Sequence, residues 1–214
     1  GFQENPCRNN RIEFCHLHHL GWGVLSDLGA VYMLGPSAGS VIRGCRVHDI
    51  SSYSYGGWGL YNDEGSTGFL WENNPVYRTK CGGYHQHYGK ENVVRNNIFA
   101  FAKEMQLRHS RDEKHLAFTF ERNIVLFDEG RLLGEFDAFW KGAQVKLAHN
   151  LYWRRDGKPF DFAGQSFADW QGSGQDAGSL ITDPLFVDPE RGDFHLREGS
   201  PAAKIGFVPF DYSL

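Results

Sequence analysis

Two carboxylates stand side by side in the stretch from residue 56 to residue 66, which is rich in glycine and aromatic residues. Asp63 and Glu64 follow Tyr61, and a third carboxylate, Glu104, opens a later polar stretch. Carboxyl groups act as general acids and bases when their surroundings move their pKa values apart. Because neighbours in a strand face opposite ways, we predict that Asp63, which shares a face with Tyr61, is catalytic. Glu104 is the predicted second carboxylate, about 5–10 Å away, and Glu64 is the alternative to Asp63.

Rings and basic side chains accompany these carboxylates in three similar stretches. In a strand His85 and His87 would face the same side, where imidazoles bind hydroxyl groups, relay protons or hold a metal ion. A metal site would need His109 as a third ligand, and we predict that no metal is bound. The candidate ligand-binding residues are Trp58, Tyr61, Tyr32, His85, His87, Tyr88, Arg108 and Arg111. For the aromatic residues, packing in the core stays open as an alternative.

The composition argues against several classes of partner. The 214 residues are enough for one domain with a hydrophobic core. The net charge of −4 argues against nucleic acid or an anionic membrane as the main partner. No apolar run is long enough to cross a membrane. The four cysteines have no spacing typical of a zinc or redox site.

A short phrase recurs six times, with apolar residues on both sides of a central cysteine or asparagine. The central residues are Cys15, Cys45, Asn74, Asn97, Asn123 and Asn150, at intervals of 30, 29, 23, 26 and 27 residues. This is the length of one coil of a parallel β-solenoid and is too short for a strand–helix–strand unit. The repeat therefore predicts an all-β fold in which the copies stack.

Stacking the six copies produces columns with consistent chemistry. The third position before the central residue and the second position after it are apolar in every copy. Two positions before it the charges alternate, in the order Glu13, Arg43, Glu72, Arg95 and Glu121. Strands in adjacent coils lie about 4.8 Å apart, so this column predicts a ladder of opposite charges. The asparagines predict a second ladder, of stacked side-chain amides.

The asparagine phrases, the run 59–66 and the tail motifs at 166–171, 183–189 and 192–196 resemble right-handed parallel β-helix enzymes of the pectate-lyase-like type. The similarity is closest to the large β-helix glycoside hydrolases of fucosidase and xylanase type. It implies a right-handed, single-stranded parallel β-helix of about six coils of 23–30 residues, matching only the family's C-terminal coils. We expect a piece of a secreted or periplasmic protein whose earlier coils precede Gly1.

The repeat ends near residue 164, and prolines at 184, 189, 201 and 209 exclude regular helix from most of the remainder. We predict that residues 1–163 form the coils. Residues 164–214 would form a C-terminal cap of the same domain, covering the last coil and protecting its edge.

These features predict a carbohydrate-binding protein, and first of all an O-glycosyl hydrolase that acts on a plant or bacterial polysaccharide or oligosaccharide through a carboxylate pair. One alternative is a polysaccharide lyase or uronate epimerase, with Arg108, Lys90, His85 or His87 as the base; only this alternative would call for calcium. The other is a non-catalytic glycan-binding fragment, in which Asp63 would only cap a turn. No cofactor is predicted for the hydrolase.

Overall fold

The computed structural model describes residues 3–142 and 144–213 and shows a right-handed parallel β-solenoid of about six turns. The fold class predicted from the repeat is confirmed. Each turn adds a strand to a first and a second sheet, and five turns add one to a third sheet. The first sheet contains Arg11–Glu13, Val41–Arg43, Leu70–Glu72, Asn92–Arg95, Phe118–Glu121 and Val145–Ala148. The second contains His16–Leu20, Arg46–Ile50, Pro75–Thr79, Ile98–Ala100, Ile124–Phe127, Leu151–Arg154 and Leu180–Ile181.

The third sheet carries the predicted site and contains Gly29–Met33, Trp58–Asn62, Gly82–Gln86, Met105–His109 and Arg131–Glu135. The strands Ser66–Thr67 and Gly89–Lys90 pair beside it, and Phe186–Asp188 pairs antiparallel with Asp193–Leu196. Within residues 3–142 and 144–213 there are one α-helix, Phe167–Gly172, and three 3₁₀ helices, Asp137–Trp140, Pro189–Arg191 and Pro201–Ile205. In the described part of the chain, no helix is both long and apolar enough to cross a membrane.

The corner between the first and second sheets has the same backbone in all six turns. The residue before the central cysteine or asparagine of each repeat has a left-handed backbone, with φ between 53° and 63°. These residues are Phe14, Gly44, Asn73, Asn96, Arg122 and His149. One such residue bends an extended chain sharply without a longer loop. The central residue that follows has a buried side chain in every turn from Cys45 to Asn150. From this position it can bond to the neighbouring coils.

The predicted amide ladder is confirmed along Asn74, Asn97, Asn123 and Asn150. Asn97 Oδ1 accepts hydrogen bonds from the backbone and side-chain nitrogens of Asn74, at 3.0 and 2.9 Å, and Asn97 Nδ2 donates to the Trp71 carbonyl at 2.9 Å. Ser179 Oγ extends the ladder by accepting from the Asn150 backbone at 2.7 Å. The stacking therefore continues past residue 163, into the segment expected to be only a cap.

The alternating charges form the predicted ladder through the first four turns. The Arg43 guanidinium contacts Glu13 and lies 3.2 Å from the Glu72 carboxylate, and Arg95 lies 2.8 Å from the other oxygen of Glu72. The side chain of Glu72 is only 11% exposed. Glu121, the last member of the predicted column, pairs with its neighbour Arg122.

Replacing Glu72 with arginine would place three arginines in adjacent strands. We expect Glu72→Arg to lower the free energy of unfolding by about 2–4 kcal/mol at low salt, because two ion pairs are lost and the repulsion is partly shielded from water. High salt should recover part of this loss. Urea unfolding at two salt concentrations measures it, with Glu198→Arg, an exposed site with the same charge change, as the control. A Glu72→Arg deficit that does not change with salt would contradict the ladder.

The C-terminal segment covers one side of the solenoid as well as its end. Trp170 of the α-helix is buried against the interior of the last turn, with Phe162 as a neighbour at 6.0 Å between ring centroids. Farther on, Phe186, Phe194, Phe207 and Tyr212 pack on the outer face of the second sheet. Val208 bonds to the Asn96 side chain through both backbone groups, at 2.8 and 2.7 Å. The segment thus covers part of the outer face of the second sheet, which is not the sheet that carries the predicted site.

Candidate functional site

A column of outward-facing side chains runs across the middle of the third sheet. The strand register stacks Tyr32 on Tyr61, Tyr61 on His85, and His85 on Arg108. The rings of Tyr32 and Tyr61 lie 4.4 Å apart, and Tyr61 stacks on His85 at 4.5 Å with only 11° between the planes. The register therefore places these four side chains on one face of the sheet.

Trp58 joins the column from the beginning of its strand. Its ring lies 4.3 Å from His85 and 4.5 Å from Tyr61, and the Arg108 guanidinium stands 5.1 Å from its centroid. The next residue, Gly59, passes so close to the core that a Cβ there would stand 2.2 Å from Val76 Cγ1. Only glycine fits such a close approach. Trp58 and Tyr61 are fully shielded from water, whereas Tyr32 is 38% exposed and presents its ring to solvent.

Two carboxylates meet at the hydroxyl groups of this column. The Tyr32 hydroxyl donates a short hydrogen bond to Asp63, and the Tyr61 hydroxyl donates to Asp27 Oδ1 at 3.4 Å. The charge of Asp63 also raises the pKa of Tyr61, so Asp63 lies near this hydroxyl as well. Asp27 and Asp63 are thus bonded to two tyrosines whose rings lie 4.4 Å apart in adjacent coils. They form a different carboxylate pair from the one predicted from the sequence.

Both tyrosines stay protonated and act as donors to these carboxylates. Burial, followed by the charges of Asp63 and Asp27, raises the pKa of Tyr61 far above its usual value. Burial and the hydrogen bond to Asp63 raise the pKa of Tyr32 in the same direction. The hydroxyls fix the orientation of the two carboxylates, as a pair used in acid–base chemistry requires.

Glu104 does not belong to this arrangement. It precedes the strand Met105–His109, whereas Asp63 follows Trp58–Asn62, and the register brings Asp63 level with Ser110 at the other end of the sheet. Six extended residues separate these two levels, about 20 Å. The predicted separation of 5–10 Å is therefore wrong. The sequence phrase placed Glu104 in the right coil but could not say at which end of its strand it lies.

Glu104 instead lines a groove of about 690 Å³ at the corner between the second and third sheets. It is half exposed and lies 3.7 Å from Lys80 Nζ. Trp22, which is 79% exposed, lines the same groove. This groove is a second concave region, separate from the outer face that carries Asp63.

His85 and His87 face the same hydroxyl group. His85 Nε2 and His87 Nδ1 each lie 2.8 Å from Ser110 Oγ. Burial, with the charge of Arg108, lowers the pKa of His85 well below its usual value, so this imidazole is neutral. His109 points the other way, into the solenoid, where it packs against Trp140 at 5.8 Å. The three histidines therefore do not converge on one metal position.

The remaining predicted residues follow the C-terminal ends of the strands of the third sheet. Glu64 and Tyr88 are partly exposed, and the Arg111 guanidinium stands 5.0 Å from the Tyr88 ring centroid. Glu64 is the sequence neighbour of Asp63 but is not one of the residues that the Tyr32 and Tyr61 hydroxyls contact. Tyr88 and Arg111 form a rim next to Asp63.

A buried amide network holds the turn that carries Asp63. Asn62 Nδ2 donates to the Tyr84 hydroxyl at 3.0 Å, and that hydroxyl donates to Gln86 Oε1 at 2.9 Å. Asn92 Nδ2 bonds the same Gln86 oxygen at 3.0 Å and the Ser66 carbonyl at 2.7 Å. Because these side chains are buried and bonded to one another, the chain just before and after Asp63 is fixed on the inner side.

The buried histidine beside this network predicts acid sensitivity. Burial lowers the pKa of His109 to about 4, from an unfolded value near 6.5. The unfolded chain binds the proton first, so stability is lost as the pH falls from about 6.5 towards 4. We expect His109→Gln to reduce the difference in unfolding free energy between pH 7.5 and pH 5 by about 2 kcal/mol. Urea titrations at both pH values measure this, and an unchanged difference would contradict it.

Two residues of the site were missed in the sequence. Asp27 lies five residues before Tyr32, in the stretch of the first coil that is equivalent to the one carrying Tyr61. Its backbone is left-handed, with φ of 52°, so the alternation of side chains along a strand does not predict where it points. Ser110 has no motif of its own and is identified only by its contacts. Comparison with known proteins adds no assignment: no family model, curated protein or solved structure matches the chain.

Proposed function

We propose that the protein is a carbohydrate-active enzyme, a glycoside hydrolase whose substrate lies along the outer face of the third sheet. The observation that carries this proposal is the pair Asp27 and Asp63, whose carboxylates accept hydrogen bonds from the neighbouring hydroxyls of Tyr61 and Tyr32. Hydrolysis of a glycosidic bond uses two carboxyl groups about 5–9.5 Å apart, one to protonate the leaving oxygen and one to activate water or attack. The two tyrosine rings that bind these carboxylates lie 4.4 Å apart in adjacent coils, which supports Asp27 and Asp63 as such a pair.

The side chains around the pair also suit a sugar. The half-exposed Tyr32 ring offers a face for stacking, and Arg108 and His87 are partly exposed on the adjoining strands. Sugar-binding sites combine an aromatic face with charged or amide groups that bond to hydroxyls. The Asp63–Tyr32 contact is one that a sugar hydroxyl would replace on binding.

One observation favours a lyase or epimerase as the second candidate. Arg108 is the last side chain of the column and lies next to the neutral imidazole of His85. An arginine in this position could bind a uronate carboxylate or take part in proton abstraction next to it. On this proposal Asp63 would hold the substrate and the product would be an unsaturated uronate.

A glycan panel separates these functions. The protein is incubated with neutral and uronate-containing oligosaccharides and polysaccharides, and reducing ends and the ultraviolet absorbance of unsaturated uronates are measured together. New reducing ends without absorbance support the hydrolase. An increase in the absorbance of unsaturated uronates would contradict the hydrolase and support the lyase. Retention on a glycan gel without either product would replace both with a binding module.

A further inference from the structure

A second cluster of polar side chains lies on the second sheet, away from Asp27 and Asp63. The register stacks His18 on His48, and so brings His19 to the level of Asp49 in the next coil. His19 and Asp49 share a left-handed backbone, with φ of 53° and 56°. Arg78 has the same conformation one coil farther on, with φ of 51°. A column of left-handed residues thus places a histidine, an aspartate and an arginine one above another.

The nitrogen and oxygen atoms of this cluster are directed at one another. His48 Nδ1 lies 2.5 Å from Asp49 Oδ2, and His19 Nε2 lies 3.9 Å from the same oxygen. The other nitrogen of His48, Nε2, lies 2.7 Å from His16 Nε2. His18 and His19 face each other through their Nδ1 atoms, also at 2.7 Å. Four imidazoles and a carboxylate therefore converge within two adjacent coils.

Neighbouring side chains hold the cluster in place. Arg78 donates two hydrogen bonds to Asp49, at 2.7 and 2.8 Å, which fixes the orientation of the carboxylate. His48 is buried and stacks on the Tyr77 ring at 4.7 Å. Such partners orient the ligands in metal sites and are required for tight binding. His19 and Asp49 also line the groove of about 690 Å³, so the cluster is accessible from solvent.

We propose that His19, His48 and Asp49 bind a divalent transition-metal ion such as Zn²⁺, with His16 as a neighbouring imidazole. One ligand atom from each of the three lies within 4.8 Å of the others. Tetrahedral ligands about 2.0–2.1 Å from zinc are about 3.3 Å apart, so changes of up to about 1.5 Å in the distances between ligand atoms close the site. Two imidazoles and one carboxylate favour zinc over magnesium or calcium, and three protein ligands leave a position open towards the groove.

The chain offers a matched pair of variants for the test. His19 and His149 are both exposed and both left-handed, with φ of 53° and 54°, but His149 lies far from the cluster at the last complete coil. Asparagine tolerates this backbone conformation. His19→Asn therefore removes one ligand, and His149→Asn reproduces the same change of side chain and backbone preference without touching the site.

The experiment is equilibrium dialysis of the untagged protein against Zn²⁺ at neutral pH, followed by metal analysis. The visible absorption of bound Co²⁺ reports the ligand geometry. We expect about one ion per chain for the wild type and for His149→Asn, and at least tenfold weaker binding for His19→Asn. Excess Mg²⁺ should not displace the ion. No retained zinc, or equal affinity in the two variants, would overturn the proposal.

Discussion

Asp63→Asn is expected to reduce the release of reducing ends by a factor of about 10²–10⁴, the range for loss of a catalytic acid or base. The amide has nearly the same shape and can still accept the hydrogen bond from the Tyr32 hydroxyl, so the fold should be preserved. It cannot transfer a proton or carry the negative charge that a nucleophile or base needs. The measurement is the initial rate on the best substrate from the glycan panel, with the melting temperature recorded in parallel.

Two further variants make this result specific to the proposed pair. Asp27→Asn should lose activity to a similar extent, and asparagine suits its left-handed backbone, with φ of 52°. Glu104→Gln should keep most of the activity, because Glu104 lies at the other end of its strand and pairs with Lys80. If Glu104→Gln abolishes the activity and Asp27→Asn leaves it unchanged, the pair is wrong and the active groove is the one that Glu104 lines.

Asn97→Leu is expected to destabilise the protein by about 3–5 kcal/mol, the largest stability effect that the fold predicts. The substitution removes the acceptor used by two nitrogens of Asn74 and the donor to the Trp71 and Arg95 carbonyls. These groups are buried or nearly so, and an unpaired buried polar group costs about 1–3 kcal/mol. Neither water nor the leucine side chain can replace the lost bonds.

Urea unfolding monitored by circular dichroism measures this effect. Asn97→Ser is the matched control and should lose less, because the ladder already contains a serine, Ser179, whose hydroxyl accepts from the Asn150 backbone. A free energy of unfolding for Asn97→Leu within about 1 kcal/mol of the wild type would show that the ladder is not a source of stability.

The ladders and columns were predictable because stacking brings equivalent positions into direct contact. Each turn must present a side chain that fits those above and below it. The charges from Glu13 to Arg95 and the amides from Asn74 to Asn150 therefore recur in the sequence once per turn. The corner that the pattern marks has one left-handed residue in every turn, which keeps the register from slipping. The repeated phrase therefore marked this corner in all six turns.

The third sheet was harder to predict because its strands follow turns of different length. Tyr61 and Asp63 are two residues apart, which was sufficient to put them on one face. Nothing in the sequence showed that Glu104 precedes its strand. The path of the C-terminal segment depends on long-range contacts, such as that between Val208 and Asn96, which have no local pattern.

The histidines of the second sheet show a signal that was present but not used. Aligning the first two copies of the phrase places His18 directly over His48, and His19 next to Asp49. The predicted columns used only the positions nearest the central residue, so these histidines were not among the candidate metal ligands. Extending the same columns to His18 and His48 places four imidazoles at one corner.

The most direct test of the proposed site is a crystal structure of Asp63→Asn with an oligosaccharide substrate bound. We expect sugar density along the outer face of the third sheet, with one ring against Tyr32 and a glycosidic oxygen between residue 63 and Asp27. Sugar density in the groove beside Glu104 and Trp22, with the outer face empty, would contradict it.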